Sequence, residues 1–417
     1  MRYLVASLVI LSLLQPNLYS YSVLTHEAIM DSAWKDSIEP LLLQRFPRAS
    51  AQDLKKAHAY AYGGSIIQDM GYYPFGSHFF TDLTHYVRSG DFVTSMLRNA
   101  KNLDEYAFAL GALAHYASDT NGHAIAVNRA VPMLYPKLKR KYGNEVTYAD
   151  DAGSHLKTEF GFDVLQVAKG RYPSDAYHDF IGFEVSKPLL ERAFQETYSL
   201  ELKDVFGALD LAIGTYRNTV SGLIPKMTKV AWTLKKDDIA KTQPGITREK
   251  FLYNLSRAEY EKNWGNEYKR PGVGSHLLAF VIQIVPKIGP LRSLSFRTPT
   301  PDTEKLFMQS FNATLERYRG LLAAERTRRT NPPDVNLDIG RSTVAGMYKL
   351  ADETYMKLVD KLADDGFSGM PRELRNDILN FYTDRPVAES RDNDQKRSRK
   401  LQRQLEMLRG AAAYSRP

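Results

Sequence analysis

The chain sets histidines and carboxylates at helical spacing. The histidines crowd toward the first 155 residues, where His26, His78, His85, His115, His123 and His155 lie. His115, Asp119 and His123 form H-x3-D-x3-H, so one helix would present all three on the same face, a turn apart. His155 and Glu159 repeat the spacing in Ser154-His155-Leu156-Lys157-Thr158-Glu159. Imidazole and carboxylate one turn apart can bind one divalent metal ion between them. Either pair alone carries little weight, because such pairs arise by chance in helical chains and a lone His usually has an ordinary hydrogen bond. Two clusters together, with no G-x-S-x-G elbow, Walker loop or Rossmann fingerprint elsewhere, point to metal chemistry.

Composition narrows how a metal would be held. The 417 residues include no cysteine. That excludes a disulfide framework, a thiolate nucleophile, an iron–sulfur cluster and a Cys-based zinc finger, and leaves His, Asp, Glu and backbone groups as ligands. Charged residues at 25% and aromatics at 11% sit near globular averages, and the net charge of +8 suits an anionic substrate of either lipid or nucleic-acid type. Arg2 followed by the apolar run Leu4 to Leu14 is too short to span a bilayer and has the length of a signal-peptide core. Residues 1–20 are therefore predicted to be a signal peptide cleaved after Ser20, with an uncleaved anchor as the alternative. The protein is expected to be exported, periplasmic or secreted, with Tyr21 as its first mature residue.

The elements that must position these side chains read as helices almost throughout, with no convincing alternating strand, so the expected fold is all-α. Ser50 and Asp53 form a capping-box pattern, and Asn102 or Asp104 starts the apolar run through Leu113. Helices are predicted over 201–224, 247–263, 302–327 (Thr300 as cap, Pro301 first), 341–364 and 394–410. The polar stretch from Lys235 to Thr247 is the best internal boundary, setting residues 21–240 apart from a helical extension over 241–417. In the extension, the apolar segment Leu277–Val285 reads as core or as a membrane-touching stretch, and the basic tail Arg391–Arg409 as a solvated helix face or a phosphate-attracting one.

The stretch His115-Tyr116-Ala117-Ser118-Asp119-Thr120-Asn121-Gly122-His123, with Asn128 beyond it, resembles the signature of the bacterial zinc-dependent phospholipases C, whose superfamily includes zinc-dependent single-strand nucleases. His155-x3-Glu159 resembles that family's second ligand pair. Tyr21-Ser22-Val23-Leu24-Thr25-His26 resembles its mature start, and Gly64 to Asp69 followed by His85-Tyr86-Val87 is similar to its remaining Asp and His ligands. The likeness spans roughly residues 21 to 230.

That resemblance implies up to three zinc ions. One would take Asp69, His85, His115 and Asp119, and a second His123, His155 and Glu159. The third would be held by His26, by a bridging Asp119 and by the terminal amine and carbonyl of Tyr21, which requires signal-peptide removal. Asp69 would also orient or deprotonate the attacking water. Three departures stand out. Only Thr120, Asn121 and Gly122 separate Asp119 from His123, shorter than the family's spacing and without its Pro. Tyr21 replaces the usual Trp, and His78 competes with His85 for one ligand position, the His-Tyr-Val context favouring His85. Tyr60, Tyr62, Tyr72, Tyr73, Phe75 and Phe79 flank the ligands as pocket wall or as core.

The implied activity is hydrolysis of phosphoric diesters, with phospholipid head groups ranked ahead of nucleic acid and a possible contact with membrane surfaces. A catalytically inactive helical binding protein is the alternative from another class. The role of 241–417 and the oligomeric state are not written in any motif.

Overall fold

The computed structural model describes residues 23–169, 183–220, 295–383 and 392–410. Among these the secondary structure is helical apart from a single bridge between Asn336 and Arg341. Tyr21, the predicted 247–263 helix, the apolar 277–285 segment and the 240–241 boundary all lie outside the described residues.

The centre is α6, Leu103–Asn121, in which every residue from Glu105 to Thr120 is buried. A helix apolar on all sides must be wrapped by others. Asn102, one of the two starts that the sequence offered, caps it, its side-chain oxygen accepting the Glu105 amide at 2.9 Å. Against α6 lies α3, Ala51–Gly64, which opens with the predicted Ser50–Asp53 capping box. The two backbones nearly touch: a Cβ on Gly64 would sit 2.0 Å from the Phe108 carbonyl oxygen, and one on Gly111 2.1 Å from that of Ala61. Only glycine permits that approach. It brings the end of α3 and the Asp69 segment that follows close beside His115.

Around this pair pack α1 (Val23–Ala33), α2 (Glu39–Arg45), α4 (His78–Tyr86), α5 (Ser89–Asn99), α7 (Asn128–Leu134), α8 (Pro136–Tyr142), α9 (Tyr148–Lys169), α10 (Lys187–Tyr198) and α11 (Leu209–Asn218). The sequence predicted one helix over 201–224. Instead, Glu201 and Asp204 cap a short 3-10 turn at Leu202–Asp204 and α11 begins only at Leu209, a break that still buries Leu202 and Phe206. The apolar spacing was read correctly; the local side-chain cap interrupted the backbone.

The described part of the extension shares the same core. Helix α12, Pro301–Glu325, starts at the predicted Thr300 cap and lies along α6. Tyr318 donates to the Leu110 carbonyl at 2.9 Å, and Phe307 stacks on Phe162 at 4.9 Å. Truncating either ring would remove about 3–5 kcal/mol of buried contact. Helices α13 (Lys349–Asp364), α14 (Arg372–Phe381) and α15 (Asp392–Gly410) follow. The helix predicted over 341–364 begins eight residues late, because Arg341 pairs with Asn336 and Gly346 takes a left-handed turn at φ +83°. The basic tail forms α15, with Leu401, Leu405 and Leu408 turned inward and Lys396, Arg397, Arg399, Lys400 and Arg403 in solvent. No described helix is long and apolar enough to cross a membrane.

Candidate metal centre

Three elements converge on Asp69. It sits on a 3-10 turn, Ile67–Tyr72, that Thr81 pins by accepting the Gly71 amide at 3.0 Å and donating to the Gln68 carbonyl at 2.7 Å. His85 comes from the last turn of α4, and His115 and Asp119 from adjacent turns of α6. His85 Nε2 lies 3.3 Å from Asp69 Oδ1 and 3.3 Å from Asp119 Oδ2, and His115 Nε2 lies 3.1 Å from the same Asp119 oxygen. One donor atom from each of the four falls within 4.8 Å of the others, and all four residues are buried.

A second cluster forms where α6 passes into the π-helical stretch Gly122–Val127. That wider turn re-aims His123 away from the Asp69 group and toward α9. The shortened 119–123 spacing is thus absorbed in a continuous helix. Asp151 breaks α9 and its carboxylate caps the part that follows, accepting the Ser154 amide at 2.8 Å. His155 and Glu159 come next, one turn apart. Glu159 Oε1 lies 3.0 Å from His155 Nε2 and 3.4 Å from His123 Nε2.

Donor atoms on a tetrahedral zinc, each roughly 2.0–2.1 Å from the ion, stand about 3.3 Å apart. The closest donor pairs here, from 3.0 to 3.4 Å apart, match that spacing. Several of these donor atoms have no competing hydrogen bond. Both Asp69 oxygens, His115 Nε2, both His155 nitrogens and both Glu159 oxygens are buried without a well-formed hydrogen bond. Buried polar atoms are nearly always satisfied, so a set that faces inward unsatisfied fits a cation. The opposite ring nitrogens are secured: His85 Nδ1 lies 2.9 Å from the Thr81 carbonyl and His115 Nδ1 3.0 Å from that of Ser65. A ring nitrogen facing a carbonyl must carry the proton, which leaves Nε2 as the metal-facing lone pair.

Burial and the facing carboxylates pull these imidazoles in opposite directions. Burial opposes a charged His85, yet the facing Asp119 and Asp69 carboxylates raise it to about 10. Burial likewise opposes a charged His123, but Asp119, Asp338 and Glu159 hold it well above the ordinary imidazole value. His26 goes the other way, lowered to about 3 by burial and then by His115. A metal ligand's imidazole is neutral, as His26 is here, so metal uptake at His85 and His123 would release their protons.

His26 extends the first cluster. Its Nε2 is 3.5 Å from Asp119 Oδ1, and its ring stacks on His115 at 4.8 Å. Asp119 therefore faces His85 and His115 with one oxygen and His26 with the other. His78 stands apart, exposed and edge-on to Tyr72 at 5.5 Å, so the structure brings His85 and not His78 to Asp69.

The sequence model of the zinc-dependent phospholipase C family matches residues 25–208, a segment containing every member of both clusters. Over these residues the chain is similar to that family. No curated protein and no solved structure matches it.

In the matched segment most of the aromatics flanking the clusters are core: Tyr62, Tyr72, Tyr73 and Phe79 are buried, whereas Phe75, at φ +63°, is 48% exposed. His58 serves elsewhere, stacked on Trp34 at 3.6 Å and 3.1 Å from Asp31. Sequence reasoning missed two carboxylates. Asp163 accepts the Leu24 amide at 3.0 Å and the Thr25 hydroxyl at 2.6 Å, which orients the start of α1 and hence His26. Its signal was present, since residues 155, 159 and 163 continue one helical spacing. Asp338 is the other, from outside the matched segment; its Oδ1 lies 3.4 Å from His123 Nδ1.

Proposed function

We propose that this protein is an exported phospholipase C that hydrolyses the phosphodiester of phospholipid head groups. The observation that carries the reading is the pair of buried, inward-facing donor clusters inside a segment of the zinc-dependent phospholipase C family. Asp69, His85, His115 and Asp119 would hold one zinc and His123, His155 and Glu159 another, with His26, Asp119 and the amine of Tyr21 as the third set. Zinc bound there supplies Lewis acidity toward phosphoryl oxygens and lowers the pKa of a coordinated water to about 7.

The protein's own groups do the rest. Asp69, within the first cluster, is placed to orient an attacking water or take up its proton. The Thr81 and Ser65 carbonyls hold the imidazoles in a single tautomer, so the ligands need not reorganise during turnover. Buried walls around both clusters exclude bulk water and strengthen each electrostatic contact.

The test compares a phosphatidylcholine analogue, a soluble phosphodiester and single-stranded DNA, before and after chelation and zinc re-addition. Preferential turnover of the lipid analogue, lost with zinc and restored by it, is expected. Preferential cleavage of DNA would replace this reading with a nuclease of the same superfamily, and zinc binding without any turnover with an inactive binding protein. Sequencing the amino terminus of exported protein should return Tyr21; any other start would remove Tyr21 from the ligand set.

A further inference from the structure

Among the described residues, the extension reaches the metal centre at Asp338. Residues 332–341 run along the matched segment and are fastened to it at successive points. The Pro333 carbonyl accepts Tyr116 Oη at 2.7 Å, the Val335 carbonyl accepts Ser89 Oγ at 2.6 Å, and the Leu337 amide donates to the His85 carbonyl at 3.0 Å. Beyond these, Asn128 Nδ2 donates to the Asp338 carbonyl at 2.7 Å. The tip is a tight turn closed by the Gly340 amide on the Asn336 carbonyl at 2.8 Å, with Asn336 Oδ1 accepting the Asp338 amide at 3.0 Å.

This turn delivers one buried carboxylate. Asp338 Oδ2 accepts two phenols, Tyr86 Oη at 2.8 Å and Tyr348 Oη. Two donors on one oxygen fix the plane of the group. The other oxygen, Oδ1, then faces His123 Nδ1 at 3.4 Å, while Nε2 of the same ring faces Glu159 at 3.4 Å. His85 and His115 have backbone carbonyls behind them; for His123 the corresponding position is filled by a carboxylate from the extension.

We infer that Asp338 is a positioning residue of the metal centre: resting on the reading that the clusters bind zinc, it orients His123 and increases its basicity as a ligand, so the extension completes the His123–His155–Glu159 site. A carboxylate behind a ligating imidazole fixes its tautomer and strengthens its lone pair, and removal of such a group costs about 10–100-fold in metal affinity. This gives the turn at 336–341 a function that the family segment alone does not contain.

The experiment is a zinc titration of full-length protein stripped with a chelator, read by competition with a zinc-binding dye and by the visible spectrum of the cobalt(II)-substituted form. Wild type, Asp338→Ala and Asp338→Asn are compared. Expected is a weakening of about 10–100-fold for one class of zinc in Asp338→Ala, with the other class unchanged and the cobalt band of the weakened class shifted. Asp338→Asn keeps an acceptor oxygen and should fall between. If Asp338→Ala does not fold, Asp338→Asn decides alone, at about tenfold. Unchanged affinities, or equal weakening of every class in both variants, would overturn the assignment. Wild-type protein that takes up no zinc would instead overturn the metal reading beneath it.

Discussion

Gly340 offers a measurement of how tightly the extension is built against the metal centre. It adopts φ +67°, and a Cβ there would lie 2.6 Å from the Thr120 carbonyl oxygen and 3.3 Å from the Ala124 Cβ. Gly366 adopts nearly the same backbone angle, φ +61°, with nothing within 4 Å of its would-be Cβ. The two alanine substitutions therefore share the conformational cost and differ in the clash. Left-handed backbone costs an alanine about 1–2 kcal/mol, so Gly366→Ala should lose roughly that and no more. Gly340→Ala must also move backbone against backbone, because the Thr120 carbonyl belongs to the fully packed α6 and cannot rotate away. Overpacking of that kind adds roughly 1–3 kcal/mol, for a total of about 2–5 kcal/mol. Urea unfolding of both variants reads the difference at unchanged slope. The same displacement would draw Asp338, two residues away, from His123, so Gly340→Ala should weaken one class of zinc while Gly366→Ala leaves both alone. Equal destabilisation by the two substitutions would refute the close packing of this turn.

Stripping zinc should lower stability by about 4 kcal/mol per site at free zinc a thousandfold above the dissociation constant, and an unchanged melting curve on chelation would argue against structural metal. His115→Ala and Glu159→Gln should each reduce hydrolysis of the phosphatidylcholine analogue to background, whereas His78→Ala, at an exposed residue, should retain it; inactivity of His78→Ala alone would mean that the site has been misplaced. Metal analysis of the mature chain should return two or three zincs. Asp377, raised to about 7 by burial against the opposing Tyr355 hydrogen bond, binds its proton more tightly folded than unfolded. Its contribution to stability is full below about pH 4 and is lost as pH rises through 7; because the carboxylate keeps some solvent contact, we expect a loss of roughly 2 kcal/mol, which Asp377→Asn should abolish. A stability profile of the same slope in Asp377→Asn would contradict that.

What was legible in the sequence was whatever local spacing and capping chemistry decide. The i, i+4 pairs His115–Asp119 and His155–Glu159 converge because a helix places them one turn apart, and Ser50 and Thr300 cap the helices they were predicted to cap, as does Asn102, one of the two starts offered for its helix. His85 and His78 were separable only by context in the sequence. In three dimensions the choice follows from α4: His85 is on its inner face at the end nearer Asp69, and His78, seven residues earlier, begins the helix in solvent. Spacing could not show that α6 continues through Gly122 into a π turn. Three residues between Asp119 and His123 looked like a deletion, and the wider turn makes them sufficient to send His123 to a different cluster from its helix neighbours.

Asp338 marks the limit of such reading. Nothing at positions 336–341 repeats, carries a helical period or resembles a ligand motif, and its partners Tyr86, Asn128 and His123 are more than two hundred residues away in sequence. A long-range contact of this kind is specified by the packing of α12 on α6 and by backbone bonds to Ser89 and His85, each ordinary in isolation. The extension is for that reason best understood from what it buries. Phe307, Tyr318 and Leu322 join the core of the segment that carries the clusters, and on the proposed reading that anchoring makes a single carboxylate at the tip of the following turn stiff enough to orient a ligand. Weakening the anchor at a distance should then act on the metal without touching it: Tyr318→Ala, which leaves every ligand and Asp338 in place, is expected to loosen the same class of zinc as Asp338→Ala, though by less. If Tyr318→Ala destabilises the fold by the roughly 3–5 kcal/mol expected of a buried aromatic but leaves both zinc classes unchanged, the turn is held by its local bonds alone and the core of the extension has no part in positioning it.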